Sequence, residues 1–149
     1  MSKEEEKDKF SFEKLGVLEG HGGAVTSLVC GEENGAPLLI SGSRDKSIIK
    51  WKLTLDNPKE EIIRLEDEEV EEGKPPKEIK KYIVGQPLKS FHGHNHFVSS
   101  LALNSDSTKL VSGSWDKTIR LWDIPTAKSD LLFKGHTKDI LCIAFSHDE

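Results

Sequence analysis

Serine, histidine and aspartate recur together twice in this chain, as His21 with Ser41, Ser43 and Asp45, and as His94 with Ser112, Ser114 and Asp116. A hydroxyl, an imidazole and a carboxylate within hydrogen-bond reach make a nucleophile, a general base and the group that orients the base. Beside the second set, His92-Gly-His94-Asn-His96 places three imidazoles on one side of an extended segment, in the donor chemistry that zinc takes. Hydrolytic catalysis and metal binding are therefore the first two chemistries to weigh.

The elements that must position these side chains are legible as a repeat. Gly20-His21, Gly93-His94 and Gly135-His136 each follow an apolar residue (Leu18, Phe91, Phe133) and each precede another (Val25, Val98, Ile140). His94 to His136 is 42 residues, the period of one propeller blade. The residues from Leu39 to Trp51 align with those from Leu110 to Trp122 at eight identities in thirteen. Each half reads as an apolar strand, a tight turn holding Asp-Lys, and a second strand ending in tryptophan, that is, an antiparallel hairpin. Val25 to Cys30, Val98 to Leu103 and Ile140 to Phe145 read as inner strands, expected to be buried between neighbouring blades. An outer strand is expected ahead of each Gly-His, and the first of these, Leu15 to Leu18, is expected to present a bare edge.

The same alignment weakens both chemistries. Glu19 and Lys134 stand at the positions equivalent to His92, and Gly23 and Lys138 at those equivalent to His96, so neither imidazole is required by the repeat. Indole N–H only donates and carboxylate only accepts, while serine and neutral histidine do both, so the recurrent set can run as a chain from Trp through Ser and His to Asp. One such chain would take Trp51, Ser41 or Ser43, His21 and Asp45, and the other Trp122, Ser112 or Ser114, His94 and Asp116. Such networks act on folding rather than chemistry, because a buried polar group left unpaired costs about 1 to 3 kcal/mol. No catalytic residue, metal site, cofactor or small-molecule substrate is expected.

Gly-His followed by Ser-Gly-Ser-x-Asp-Lys and then Trp-Lys or Trp-Asp resembles the WD-repeat family. Within that family the strings at 43–54, 96–99, 112–123 and 135–141 are similar to the receptor for activated C kinase branch, over most of residues 15–147. The resemblance implies an all-β propeller of WD repeats, with about two and a half blades of a seven-bladed ring present here. It also implies a non-enzymatic scaffold on the small (40S) ribosomal subunit in the cytoplasm, binding rRNA and ribosomal proteins and linking translation to signalling proteins such as kinases. In that branch the Arg-Asp-Lys turn of the first blade meets 18S-type rRNA, which here is Arg44-Asp45-Lys46. Lys50 and Lys52 follow on the next strand and complete the expected rRNA-binding set. Arg44 is the more distinctive base, since Lys46 and Lys117 both follow their Asp whereas Arg44 replaces Trp115. Trp115 itself reads either as an exposed contact for a protein partner or as a residue packed on a neighbouring loop. The alternative reading is a general signalling adaptor similar to a G-protein β subunit and not bound to ribosomes.

Composition sets the remaining bounds. Of the formal charge of −5, the segments 56–81 and 1–9 carry −4 and −1, so the remaining residues are neutral and nucleic acid must be met by a local basic cluster. No run approaches the ~18 consecutive apolar residues of a membrane helix, and the charged start does not resemble a signal peptide, which makes a soluble, intracellular protein without a membrane partner the expectation. Cys30 and Cys142, among apolar neighbours, are expected to be reduced core residues. The chain divides into a charged tail (1–13), repeat one (15–54), an acidic insertion (55–85), repeat two (86–128) and the start of repeat three (129–149), with 14–149 forming the partial propeller. In the insertion, Lys59 to Glu72 reads either as a disordered acidic loop or as a short helix with Ile62, Ile63 and Leu65 on it, stopped by Gly73 and Pro75-Pro76.

Overall fold

The computed structural model describes residues 15–54, 59–64 and 78–146. Among them are ten strands: β1 (Val25–Glu33), β2 (Ala36–Ser43), β3 (Ile48–Leu53), β4 (Lys59–Arg64), β5 (Glu78–Ile83), β6 (Gly85–Phe91), β7 (Val98–Leu103), β8 (Lys109–Ser114), β9 (Ile119–Asp123) and β10 (Lys128–Phe133). Two four-stranded antiparallel sheets, β1-β2-β3-β6 and β7-β8-β9-β10, are the blades, and β4-β5 is a separate two-stranded ribbon. The outer strand of each blade, β6 or β10, lies beyond the hairpin tryptophan and ahead of the next Gly-His. Blade and repeat are therefore offset by one strand.

The turns follow from local chemistry. Asn34 and Gly35, both at positive φ, join β1 to β2, as a two-residue hairpin turn of matching twist requires. The turns joining β2 to β3 and β8 to β9 place Lys46 (φ 72) and Lys117 (φ 68) in the left-handed region. That conformation costs an L-residue about 1 to 2 kcal/mol. The preceding aspartate opposes the cost: Ser47 N–H and Oγ–H donate to Asp45 Oδ1 at 2.9 and 2.6 Å, and Thr118 does the same to Asp116 at 2.9 and 2.5 Å.

Between the blades lies one apolar core, built from Leu38, Ile40, Ile48 and Phe91 of the first and Val98, Leu101, Leu110, Trp122 and Ile124 of the second. Close approach depends on Gly42, where a β-carbon would come within 2.7 Å of Val98 Cγ1, and on the equivalent Gly113, which would meet Ile140 Cγ2 at 2.6 Å. A pair of hydroxyls bridges each joint. Thr26 Oγ1 donates to Gly42 O and to Val98 O, and Ser99 Oγ to Gly113 O at 3.0 Å and Ile140 O at 2.5 Å. Ser27 Oγ accepts Leu101 N–H at 3.1 Å, as Ser100 Oγ accepts Ile143 N–H at 3.2 Å. Residues 140–146 thus seat on blade two as β7 seats on blade one.

Several expectations are corrected. The first inner strand is only half-buried, and on one side alone: Val25, Leu28 and Cys30 are exposed, because among the described residues no blade covers that face. Cys142 is exposed too, so neither cysteine is a core residue. Residues Ile140 to Phe145 form no regular strand and have no hairpin partner among the described residues, although Ile140 is buried and its N–H donates to Ser114 O at 3.1 Å. The Leu15–Leu18 segment does not present a bare edge. Val17 N–H donates to Tyr82 O at 2.8 Å and Val17 O accepts Val84 N–H at 3.3 Å, which makes a parallel bridge to the end of β5. Both readings of the insertion, disordered loop and short helix, are overturned over Lys59–Arg64, which pairs as a strand with Glu78–Ile83, in keeping with its β-branched Ile62-Ile63 pair. The rest of that expected helix, with Leu65 and the Gly73 and Pro75-Pro76 stop, lies outside the described residues.

Candidate functional site

In each blade the recurrent residues converge into one chain. Trp51 Nε1–H donates to Ser41 Oγ at 2.7 Å, and Ser41 in turn meets His21 Nε2 at 2.7 Å while His21 Nδ1 meets Asp45 Oδ2 at 2.8 Å. Trp122, Ser112, His94 and Asp116 repeat these contacts at 2.7, 2.7 and 2.8 Å. With indole as the terminal donor, the serine hydroxyl donates to Nε2 and the histidine carries its proton on Nδ1 toward the carboxylate. The other serine of each pair shapes the turn instead, since Ser43 Oγ accepts Asp45 N–H at 3.1 Å and Ser114 Oγ accepts Asp116 N–H at 3.0 Å.

The electrostatics match a structural clasp. Burial by itself would raise Asp45, but hydrogen bonds from Ser47, His21 and Gly22 N–H outweigh it and bring the carboxyl down from 3.8 to about 2. Asp116 is likewise brought to about 2 against the effect of burial, by Thr118, Asn95 N–H and His94. His94 is lowered by burial, with Asp116 opposing. Although Ser, His and Asp stand in the order of a catalytic triad, the hydroxyl is not placed as a nucleophile: Ser41 and Ser112 are 2% and 0% exposed, and each Oγ already accepts an indole N–H. The three-histidine segment is likewise divided. His94 is committed to its network, His96 Nδ1 accepts Phe97 N–H at 2.9 Å, and His92 is exposed on its own. Among the described residues no three His, Cys, Asp or Glu side chains gather as a metal would need.

The four basic residues expected to act together are separated by the fold. Arg44 and Lys46 are exposed on the β2–β3 turn, with Asp45 turned inward between them. Lys50 is buried, its ammonium 2.6 Å from the Glu33 carboxylate, and so is withdrawn from any surface. Lys52 is exposed, but it lies toward the opposite end of β3, about 13 Å beyond the first strand residue Ile48 at strand rise. Only the turn remains as a basic feature at that end of the first blade.

The neighbouring turn is aromatic. Trp115 is 38% exposed; it stacks on His96, with ring centroids 5.8 Å apart and planes at 20°, and tilts against Phe97 at 5.4 Å. Arg44 reaches across from the first blade and sets its guanidinium 5.6 Å from the Phe97 centroid. Repeat comparison flags Trp115 and Arg44 singly but not their union through Phe97. Nor does it flag Thr26, Ser27, Ser99 and Ser100, small polar residues on strands whose only sequence signal is that they recur at equivalent positions.

Two repeated blades with this hydrogen-bonded clasp define a class, a propeller of WD repeats. The family model described as "WD domain, G-beta repeat" matches residues 12–52, 85–123 and 128–149, and the chain belongs to that family. Among curated relatives it is similar to the small ribosomal subunit protein RACK1 of Saccharomyces cerevisiae, 40% identical over 116 residues, covering 76% of this chain and 28% of that protein. The corresponding protein of Schizosaccharomyces pombe is 44% identical over 108 residues, covering 72% of this chain and 26% of that one. The resemblance to the receptor for activated C kinase branch is thereby borne out. The chain thus spans little more than a quarter of the length of these relatives. Among solved structures, the crystal structure of RRP9 WD40 repeats aligns with a TM-score of 0.61 at 25% identity, over 88% of this chain and 32% of that one.

Proposed function

We propose that this chain supplies the first blades of a non-enzymatic cytoplasmic scaffold on the small ribosomal subunit, linking translation to signalling proteins, and that Arg44 and Lys46 contact rRNA there. The observation that carries the reading is the β2–β3 turn. Its two cations point to solvent while its one acid is held inside by His21, Gly22 N–H and Ser47, so the tip is a local positive projection. Arginine suits the bidentate geometry of phosphate and lysine adds a point charge. Further support comes from relatives named as small ribosomal subunit proteins. Lys50, buried against Glu33, and Lys52, at the far end of β3, stand outside the contact.

The test is co-sedimentation of the full chain with small subunits across a salt series. Arg44→Asp with Lys46→Glu is expected to release the protein at moderate salt and to flatten the dependence of log K on log salt by about two phosphate contacts. Unchanged association of that double variant sinks the contact.

A further inference from the structure

The turn face carries more than charge. Arg44, Phe97, Trp115 and His96 form one continuous strip across two blades, with the guanidinium over one ring and the other rings stacked or tilted beside it. Trp115 lies outside both structural networks, whereas Trp51 and Trp122 are buried and bound to serine. A tryptophan held by two aromatic neighbours and still more than a third open is a rigid flat surface. The cations bordering it, Arg44, Lys46 and Lys117, are all exposed, while Asp45 and Asp116 face inward. The guanidinium and the Trp115 ring are no more than about 11 Å apart by way of Phe97.

We infer that the Trp115, His96 and Phe97 cluster is a stacking platform for an unpaired base of single-stranded RNA, whose neighbouring phosphates meet Arg44, Lys46 and Lys117. A basic border around an open aromatic face suits single strands, because every base has a π-face to offer whereas a duplex keeps its bases inside. A strip built from acids and aliphatic residues would instead suit a basic peptide; this one is built from rings and a guanidinium, and the exposed acid beside the second turn is Asp139, adjoining Ile140, whose N–H donates to Ser114 O. The inference rests on the reading that this face meets RNA, and adds which form of RNA and which residue selects it.

The probes are a single-stranded oligoadenylate and an RNA duplex of equal length, titrated into the full chain while tryptophan emission and binding are followed. The single strand is expected to quench the exposed Trp115, with Trp51 and Trp122 shielded. Trp115→Ala is expected to weaken single-strand binding about ten-fold or more with duplex binding unchanged, and Trp115→Phe to restore most of the loss. Arg44→Asp with Lys46→Glu weakens both probes. Undiminished single-strand binding by Trp115→Ala, or equal loss for duplex and single strand, overturns the platform and leaves the small-subunit reading to the co-sedimentation result. Weaker small-subunit association of Trp115→Ala without any change toward the oligoadenylate also overturns it, and assigns the tryptophan to a protein partner.

Discussion

Blade one and blade two hold the same four-residue chain at the same distances, yet in different surroundings. The imidazoles of His21 and His94 are 4% and 1% exposed, and the carboxylates of Asp45 and Asp116 are 19% and 9% exposed. Blade two has blade one on one face and residues 140–146 on the other, whereas blade one is covered on a single face among the described residues. Geometry of the clasp is thus local to a blade, set by the Asp-anchored turn. How far it is dried, and so how much each bond is worth, is set by neighbours.

Truncating the two clasp tryptophans breaks this comparison most directly. Trp122→Ala removes a ring packed edge-on to Phe91 within the shared core and is expected to cost about 3 to 5 kcal/mol. Trp51→Ala, toward the uncovered side, is expected to cost about 1 kcal/mol less. Urea unfolding of both variants checks the order, and an inverted order shows that neighbouring blades do not set the value. At the acid end, Asp116→Asn is expected to cost about 2 to 3 kcal/mol and Asp45→Asn about 1 to 2, since a charged acceptor matters more where water is excluded.

The pH profile sharpens the same point. His94 is lowered from 6.5, so below that pH the unfolded chain takes up a proton that the folded one refuses, and stability falls as pH drops through 6.5. The two aspartates are lowered from 3.8 to about 2, so their contribution is complete above about pH 4 and is lost as pH falls toward 2. Urea midpoints at pH 7, 5.5 and 3.5 should decline in two stages, and His94→Gln should remove the upper one.

Within a blade, the two serines provide the next contrast. Ser112→Ala strands both an indole N–H and an imidazole nitrogen, expected to cost about 2 to 3 kcal/mol, while Ser114→Ala loses a bond to Asp116 N–H and one to His96 O, expected to cost about 1. Thermal melts of the pair distinguish them. Equal losses would mean that the turn serine carries as much of the clasp as the network serine.

That contrast also marks how far the sequence is legible. Donor and acceptor accounting names Trp, Ser, His and Asp as a chain, because those roles are fixed by side-chain type. It leaves Ser41 and Ser43 open, since the two stand two residues apart on the same face of β2 and choosing between them needs to know where along the strand the turn begins. Strands and hairpins of the blades show in the alternation and in the doubled thirteen-residue string. Exposure of Val25, Leu28 and Cys30 does not, because it depends on which neighbours are present rather than on the strand itself. The correction at Lys50 has the same origin: a lysine adjacent to Trp51 reads as surface charge until β1 brings Glu33 beside it. Lys59–Arg64 reads as acidic loop or short helix, and only pairing with a segment more than a dozen residues away makes it a strand.

The smallest expected effect separates folding from function at one position. Lys46 and Lys117 occupy matching left-handed sites in matching turns. Glycine there relieves a strain of about 1 to 2 kcal/mol but adds back about 0.5 to 1 kcal/mol of chain entropy in the unfolded state. Lys46→Gly and Lys117→Gly should therefore each raise stability by no more than about 1.5 kcal/mol, and by similar amounts. They should differ on the ribosome. Removing Lys46 takes away a proposed phosphate contact next to Arg44, and small-subunit association should weaken and lose about one unit of salt slope, whereas Lys117→Gly should lose less. Equal effects on association would place the two turns on one equally used surface, and would remove the distinction between a basic first turn and an aromatic second one.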